Sequence, residues 1–184
     1  MRDSMGVWAN IITNLPEVSS PTQRRLSFKE KLKWTLLILI LYYILRLVPL
    51  FGLGPNELAR FEFLSVILGA EFGSIISLGI GPIVTASIVL QLLNGSGLVK
   101  FDLTTHEGKR MFQGIQKILA LFFIIFEAGI YVFMGGLSPP DTINGIAIAG
   151  TGAYLGLQWI LIFQLCLGGL LILFMDEIVS KWGF

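Results

Sequence analysis

The chain has 184 residues, 54 % of them hydrophobic and only 14 % charged, with a net charge of +1 and a mean hydropathy of +0.79. Soluble domains carry about a quarter charged residues, so this chain lacks the charge to cover a water-facing surface and reads as an all-α integral membrane protein. The net charge says nothing by itself, no nucleic-acid partner is expected, and four long apolar runs leave no room for a separate soluble domain.

Residues 1–26 form an N-terminal segment outside the spans. Within it Trp8, Ile11, Ile12 and Leu15 recur at helical intervals and Pro16 ends the run; a short amphipathic helix on the membrane surface and a frayed tail both fit. Ser27 and Glu30 have capping-box spacing, which predicts a helix start. Span 1 is expected over 34–51, entered through Lys29, Lys31, Lys33 and Trp34, residue types that mark the water–lipid boundary.

After Pro49 the sequence Gly52-Leu53-Gly54-Pro55 breaks the chain. The apolar stretch 61–72, with Glu62 near its start and Glu71 near its end, is too short to cross a bilayer core about 30 Å thick. Its length suits a re-entrant or interfacial helix. Span 2, over 75–93, is interrupted by Gly79-Ile80-Gly81-Pro82, with helix resuming over 83–93 and Pro82 suited to its first turn. Non-helical backbone at membrane depth survives only where protein buries it or water reaches it. The interruption therefore points to a pore or a transport site.

Span 3 is expected over 113–134 and contains Glu127. A carboxylate well inside a span costs about 2.5–3.5 kcal/mol on insertion scales, so Glu127 either faces a partner or cavity or sits near the outer headgroups. Residues 135–152, with Pro139-Pro140, read as loop or partly buried turn. Span 4 covers 153–175, and the mixed-charge residues 176–181 mark its exit. Cys166 is a small buried hydrophobe and His106 an exposed loop histidine. No metal, cofactor or catalytic pattern emerges, so an enzyme is not expected.

Six basic residues precede span 1 (Arg2, Arg24, Arg25, Lys29, Lys31, Lys33), and Lys100, Lys109, Arg110 and Lys117 flank the gap between spans 2 and 3. Arg46 and Arg60 lie near the far end of span 1, none lies between spans 3 and 4, and Lys181 follows span 4. Basic loops stay cytoplasmic, which places both ends and the 100–117 loop inside and predicts a multi-pass protein with a cytoplasmic N-terminus.

Three stretches now carry a resemblance. Phe28-Lys29-Glu30-Lys31-Leu32-Lys33-Trp34-Thr35 resembles the entry to the first span of archaeal SecY, the large subunit of the protein-translocation channel. Residues 78–93 are similar to that family's second-helix signature, and 176–183 to the stretch after its fourth span. The resemblance implies a pore-forming subunit that passes secretory polypeptides and inserts membrane proteins. It implies a plug at 61–72 (Phe61, Glu62, Phe63, Leu64, Val66, Ile67, Leu68) and a helix break at Gly79, Gly81 and Pro82. It also implies a pore ring that includes Ile80 and Val84, and a lateral gate that includes Thr85 and Glu127, opening to membrane lipid. Implied partners are SecE-type and Sec-beta-type subunits, signal sequences, nascent polypeptides and, through parts absent here, the ribosome; the implied location is the plasma membrane. The family has ten spans and this chain four, so it corresponds to the N-terminal portion, and Arg46 departs from the family pattern. Without the resemblance, Ile80 and Val84 read as packing or lipid-facing residues. A half-repeat of a secondary transporter and a scaffolding membrane subunit are the rival readings.

Overall fold

The computed structural model describes residues 16–19, 21, 26–54, 66–67, 69–99, 101–143 and 145–183. The helix expected at Trp8–Leu15 and the plug residues Phe61, Glu62, Phe63, Leu64 and Leu68 lie outside the described residues. Of that plug stretch, Val66 and Ile67 are helical and exposed, and 69–72 is non-helical.

Helix α1 (Phe28–Arg46) starts where the capping box places it. The Ser27 hydroxyl accepts the Glu30 amide at 3.4 Å, and the Glu30 carboxylate accepts the Ser27 amide at 3.4 Å. The helix stops short of residue 51, the expected end of the span. Pro49 disfavours a helical Val48, and the amides of Leu47 and Val48 fall back on short bonds to Ile44 and Leu45 at 3.0 and 3.2 Å. The chain then lies antiparallel to the segment before α2. Pro49 bridges Ser74, the Leu50 amide donates to Gly73 and the Ile75 amide to Val48, both at 2.9 Å.

Helix α2 (Gly81–Gly95) carries Pro in its first turn. Helix α3 (His106–Phe133) begins well before residue 113 because the Thr105 hydroxyl accepts the Gly108 amide at 3.1 Å and Glu107 sits at the positive helix end. His106 thus opens a helix rather than lying in a loop. Strands β1 (Thr142–Ile143) and β2 (Ile146–Ala147) form a hairpin inside the expected loop, with Ile143 opposite Ile146. Helix α4 (Gly152–Trp182) continues past Met175, its last turns held by a Glu177–Lys181 pair one turn apart at 2.9 Å. By length and composition α3 and α4 can each cross a membrane, and α2 is a shorter apolar helix.

α1 packs on α4, α4 on α3 and α3 on α2. Lipid tails are as apolar as leucine, so helices in a membrane associate through close packing rather than water exclusion. Small residues supply the closeness: Ala86, Ala120 and Ala128 are buried at the α2, α3 and α4 seams. A methyl group on Gly169 would press into the Ile124 side chain at 2.7 Å.

Candidate functional site

The site begins with a backbone problem. Residues 72–80 form turns rather than helix, in the middle of an apolar bundle. Every stray amide and carbonyl there would cost several kcal/mol in hydrocarbon. Two serines meet much of this demand. The Ser74 hydroxyl donates to the Glu71 carbonyl at 2.7 Å and accepts the Ile76 amide at 3.3 Å. The Ser77 hydroxyl donates to the Ser74 carbonyl at 2.5 Å, with the Glu71 carbonyl at 3.2 Å, and accepts the Gly73 amide at 2.9 Å.

Packing then fixes the segment. Ile76 and Leu78 are fully buried, but in different clusters. Ile76 joins Ile38 of α1 with Ile172 and Met175 of α4. Leu78 joins Ala128 and Val132 of α3 with Leu161 and Leu165 of α4. The main chain runs so close to α4 that a β-carbon on Gly168 would collide with the Ile75 carbonyl. Gly79, at φ +57°, then turns the chain into α2 in a conformation other residues enter at a cost.

What this buried turn presents is a stripe. Ile80 and Val84 are 42 % and 43 % exposed, and Ile88 and Leu92 continue the exposed line at four-residue intervals. Residues four apart share a helix face. The opposite face, Pro82, Ala86 and Leu90, is buried, as is Gly81 at the helix start. α2 therefore offers an aliphatic edge with no polar atom at its first two positions. A cavity of about 320 Å³ at the charged end of the bundle is lined by Ile83, Arg110, Lys117 and Asp176, and not by Ile80 or Val84.

Thr85 and Glu127 are half-buried on adjacent helices, α2 and α3. Among the described residues no hydrogen bond joins them. Arg46, the residue that departs from the family pattern, is paired. Its Nε and terminal nitrogen both meet one oxygen of Glu71 at 2.7 Å. Sequence reasoning also passed over Gln164. Its side-chain amide donates to the Phe51 carbonyl at 3.1 Å while its oxygen accepts the Phe51 amide at 2.9 Å. An amide inside an apolar run was the available signal.

At the other end of the bundle, the N-terminal segment is tied down by charge. The Glu177 carboxylate meets Lys117 at 2.7 Å and Lys181 at 2.9 Å and accepts the Val18 amide at 3.2 Å. Lys117 donates to the Pro16 carbonyl at 2.6 Å, and Lys181 reaches Glu17 and the Val18 carbonyl. Glu177 lies beyond the apolar stretch of α4. Burial alone would raise its pKa, but the two lysines outweigh burial and hold it below the ordinary glutamate value.

A SecY family model matches residues 74–184. The protein translocase subunit SecY of Methanothermobacter thermautotrophicus is 49 % identical over 172 residues, covering 92 % of this chain and 34 % of that protein. A solved structure described as Sec61 in the canine ribosome–channel complex from the endoplasmic reticulum superposes with a TM-score of 0.77 at 36 % identity, covering 95 % of this chain and 37 % of that one. A second, concerning the plug domain of SecY and its role in stabilising the closed state and maintaining a membrane seal, gives a TM-score of 0.75 at 38 % identity over 95 % of this chain and 36 % of that one. The chain thus spans about a third of the length of the relatives it matches. With a family model over most of its length and this likeness in sequence and fold, the chain belongs to the SecY family.

Proposed function

We propose that the chain is the N-terminal portion of the pore-forming subunit of a protein-conducting channel, lying in the plasma membrane with its N-terminus cytoplasmic. α1 and α2 act as spans beside α3 and α4, and residues 61–72 act as the plug. The observation that carries this reading is the aliphatic stripe led by Ile80 and Val84, set on a helix that starts from a protein-buried break. Bare aliphatic groups offer water and ions no hydrogen bonds, so a narrow ring of them resists leakage by dewetting while yielding to any passing polypeptide. Family segments beyond this chain complete the ring.

Thr85 and Glu127 serve the lateral gate, where an apolar signal sequence leaves for lipid. The chain does no covalent chemistry. Its partners are SecE-type and Sec-beta-type subunits, nascent chains and, through family segments beyond it, the ribosome. In a channel assembled from this chain and those segments, Ile80→Asn or Val84→Asn raises resting ion conductance in planar bilayers without abolishing translocation. Wild-type conductance in both variants, with assembly intact, would remove the ring assignment. A saturable small-molecule flux that depends on Glu127 would favour a transporter instead.

A further inference from the structure

Glu71 is held at both ends. Its carboxylate is gripped by Arg46 at the last residue of α1, and its main-chain carbonyl is the acceptor shared by the Ser74 and Ser77 hydroxyls. Those serines organise the turns that end at Ile80. The same junction carries the short ladder in which Leu50 bonds Gly73 and Ile75 bonds Val48. The Tyr42 hydroxyl lies one turn before Arg46 and borders Gly69, 3.4 Å from where a β-carbon would stand. α1 thus meets the break along its final turn, and the ion pair is the charged contact there among the described residues.

We propose that Arg46 is a positioning residue: acting through Glu71, it fastens the non-helical segment 71–80 to the end of α1 and so fixes where Ile80 stands. The packing of Ile76 and Leu78 sets the depth of the segment, and the ion pair sets its position against α1. Both side chains are about half exposed, 51 % and 42 %, so the pair is a modest constraint that a conformational change can break and remake. That suits a constriction that must widen for a polypeptide and close again. The inference rests on the conduction reading for its functional consequence, but its structural half stands independently.

The test uses Arg46→Ala, Glu71→Ala and the exchanged pair R46E/E71R. In the 184-residue chain held in lipid nanodiscs, amide exchange is followed at Leu50, Ser74 and Ile75. Each single change is expected to speed exchange about two- to fivefold, the range of an exposed ion pair, and the exchanged pair to return it towards wild type. In the assembled channel, resting ion conductance rises in the single variants and falls back in the exchanged pair. Unchanged amide exchange in the single variants, or no recovery in the exchanged pair, overturns the fastening role. Faster exchange with unaltered conductance overturns the link to Ile80, provided Ile80→Asn leaks in the same assay. If Ile80→Asn is itself silent, the conduction reading has failed and not the ion pair.

Discussion

A single methyl group is enough to probe the closest packing in the bundle. At Gly168 it would drive into the Ile75 carbonyl, whereas at Gly156, in the same helix, nothing lies within 4 Å. Gly168→Ala should therefore cost about 1–3 kcal/mol, as overpacking does, while Gly156→Ala should be neutral or gain up to about 1 kcal/mol of helix propensity. Unfolding of both variants in detergent micelles by denaturant separates the two; equal stabilities would refute the close approach. Gly79→Ala should cost about 1–2 kcal/mol for its left-handed backbone. Of these positions only Gly79 was legible in sequence, because Gly79 and Pro82 punctuate a helix locally. Gly168 owes its identity to a carbonyl far away along the chain. The Arg46–Glu71 pair was invisible for the same reason: only the fold brings residue 71 beside residue 46.

At the scale of elements, helix starts were legible where a side chain writes them and helix ends less so. Ser27 and Glu30 announced α1 through reciprocal hydrogen bonds. Thr105 announces α3 equally well, but without a glutamate three residues on it passed as loop. The extension of α4 beyond Met175 is accompanied by the Glu177 knot with Lys181 on the same helix and with Lys117, which comes from another helix, α3. This knot carries a pH prediction. Glu177 has a folded pKa below its ordinary value of about 4.3, so its contribution is complete above that value and is lost as pH falls through the folded value. Exchange of the Val18 amide should stay slow near neutrality and speed up once the pH falls below the ordinary glutamate range, relative to the intrinsic rate. Glu177→Gln should make it fast throughout. A slow, pH-independent Val18 amide in the variant would contradict the tie.

For the whole molecule, the break at 72–80 is a keystone rather than a loose loop. Its side chains join α1 to α4 through Ile76 and α3 to α4 through Leu78, and its serines consume their own backbone's polarity. The sequence places an interruption at Gly79–Pro82 with helix resuming at 83, whereas the turns occupy 72–80 and Gly81 and Pro82 already lie in the first turn of α2, where a proline's missing amide costs no bond. It could not show that one face of α2 would be spent against α3 and the other left open, because that depends on which neighbours arrive. On the proposed reading this open face lines a water-accessible constriction. Cysteine scanning of 80–92 tests it most directly in the assembled channel, in a Cys166→Ala background that removes this chain's one cysteine. A water-soluble thiol reagent should label positions 80, 84, 88 and 92 during translocation and spare 82, 86 and 90. Labelling that ignores this four-residue period, or that favours the 86 and 90 face, would contradict it.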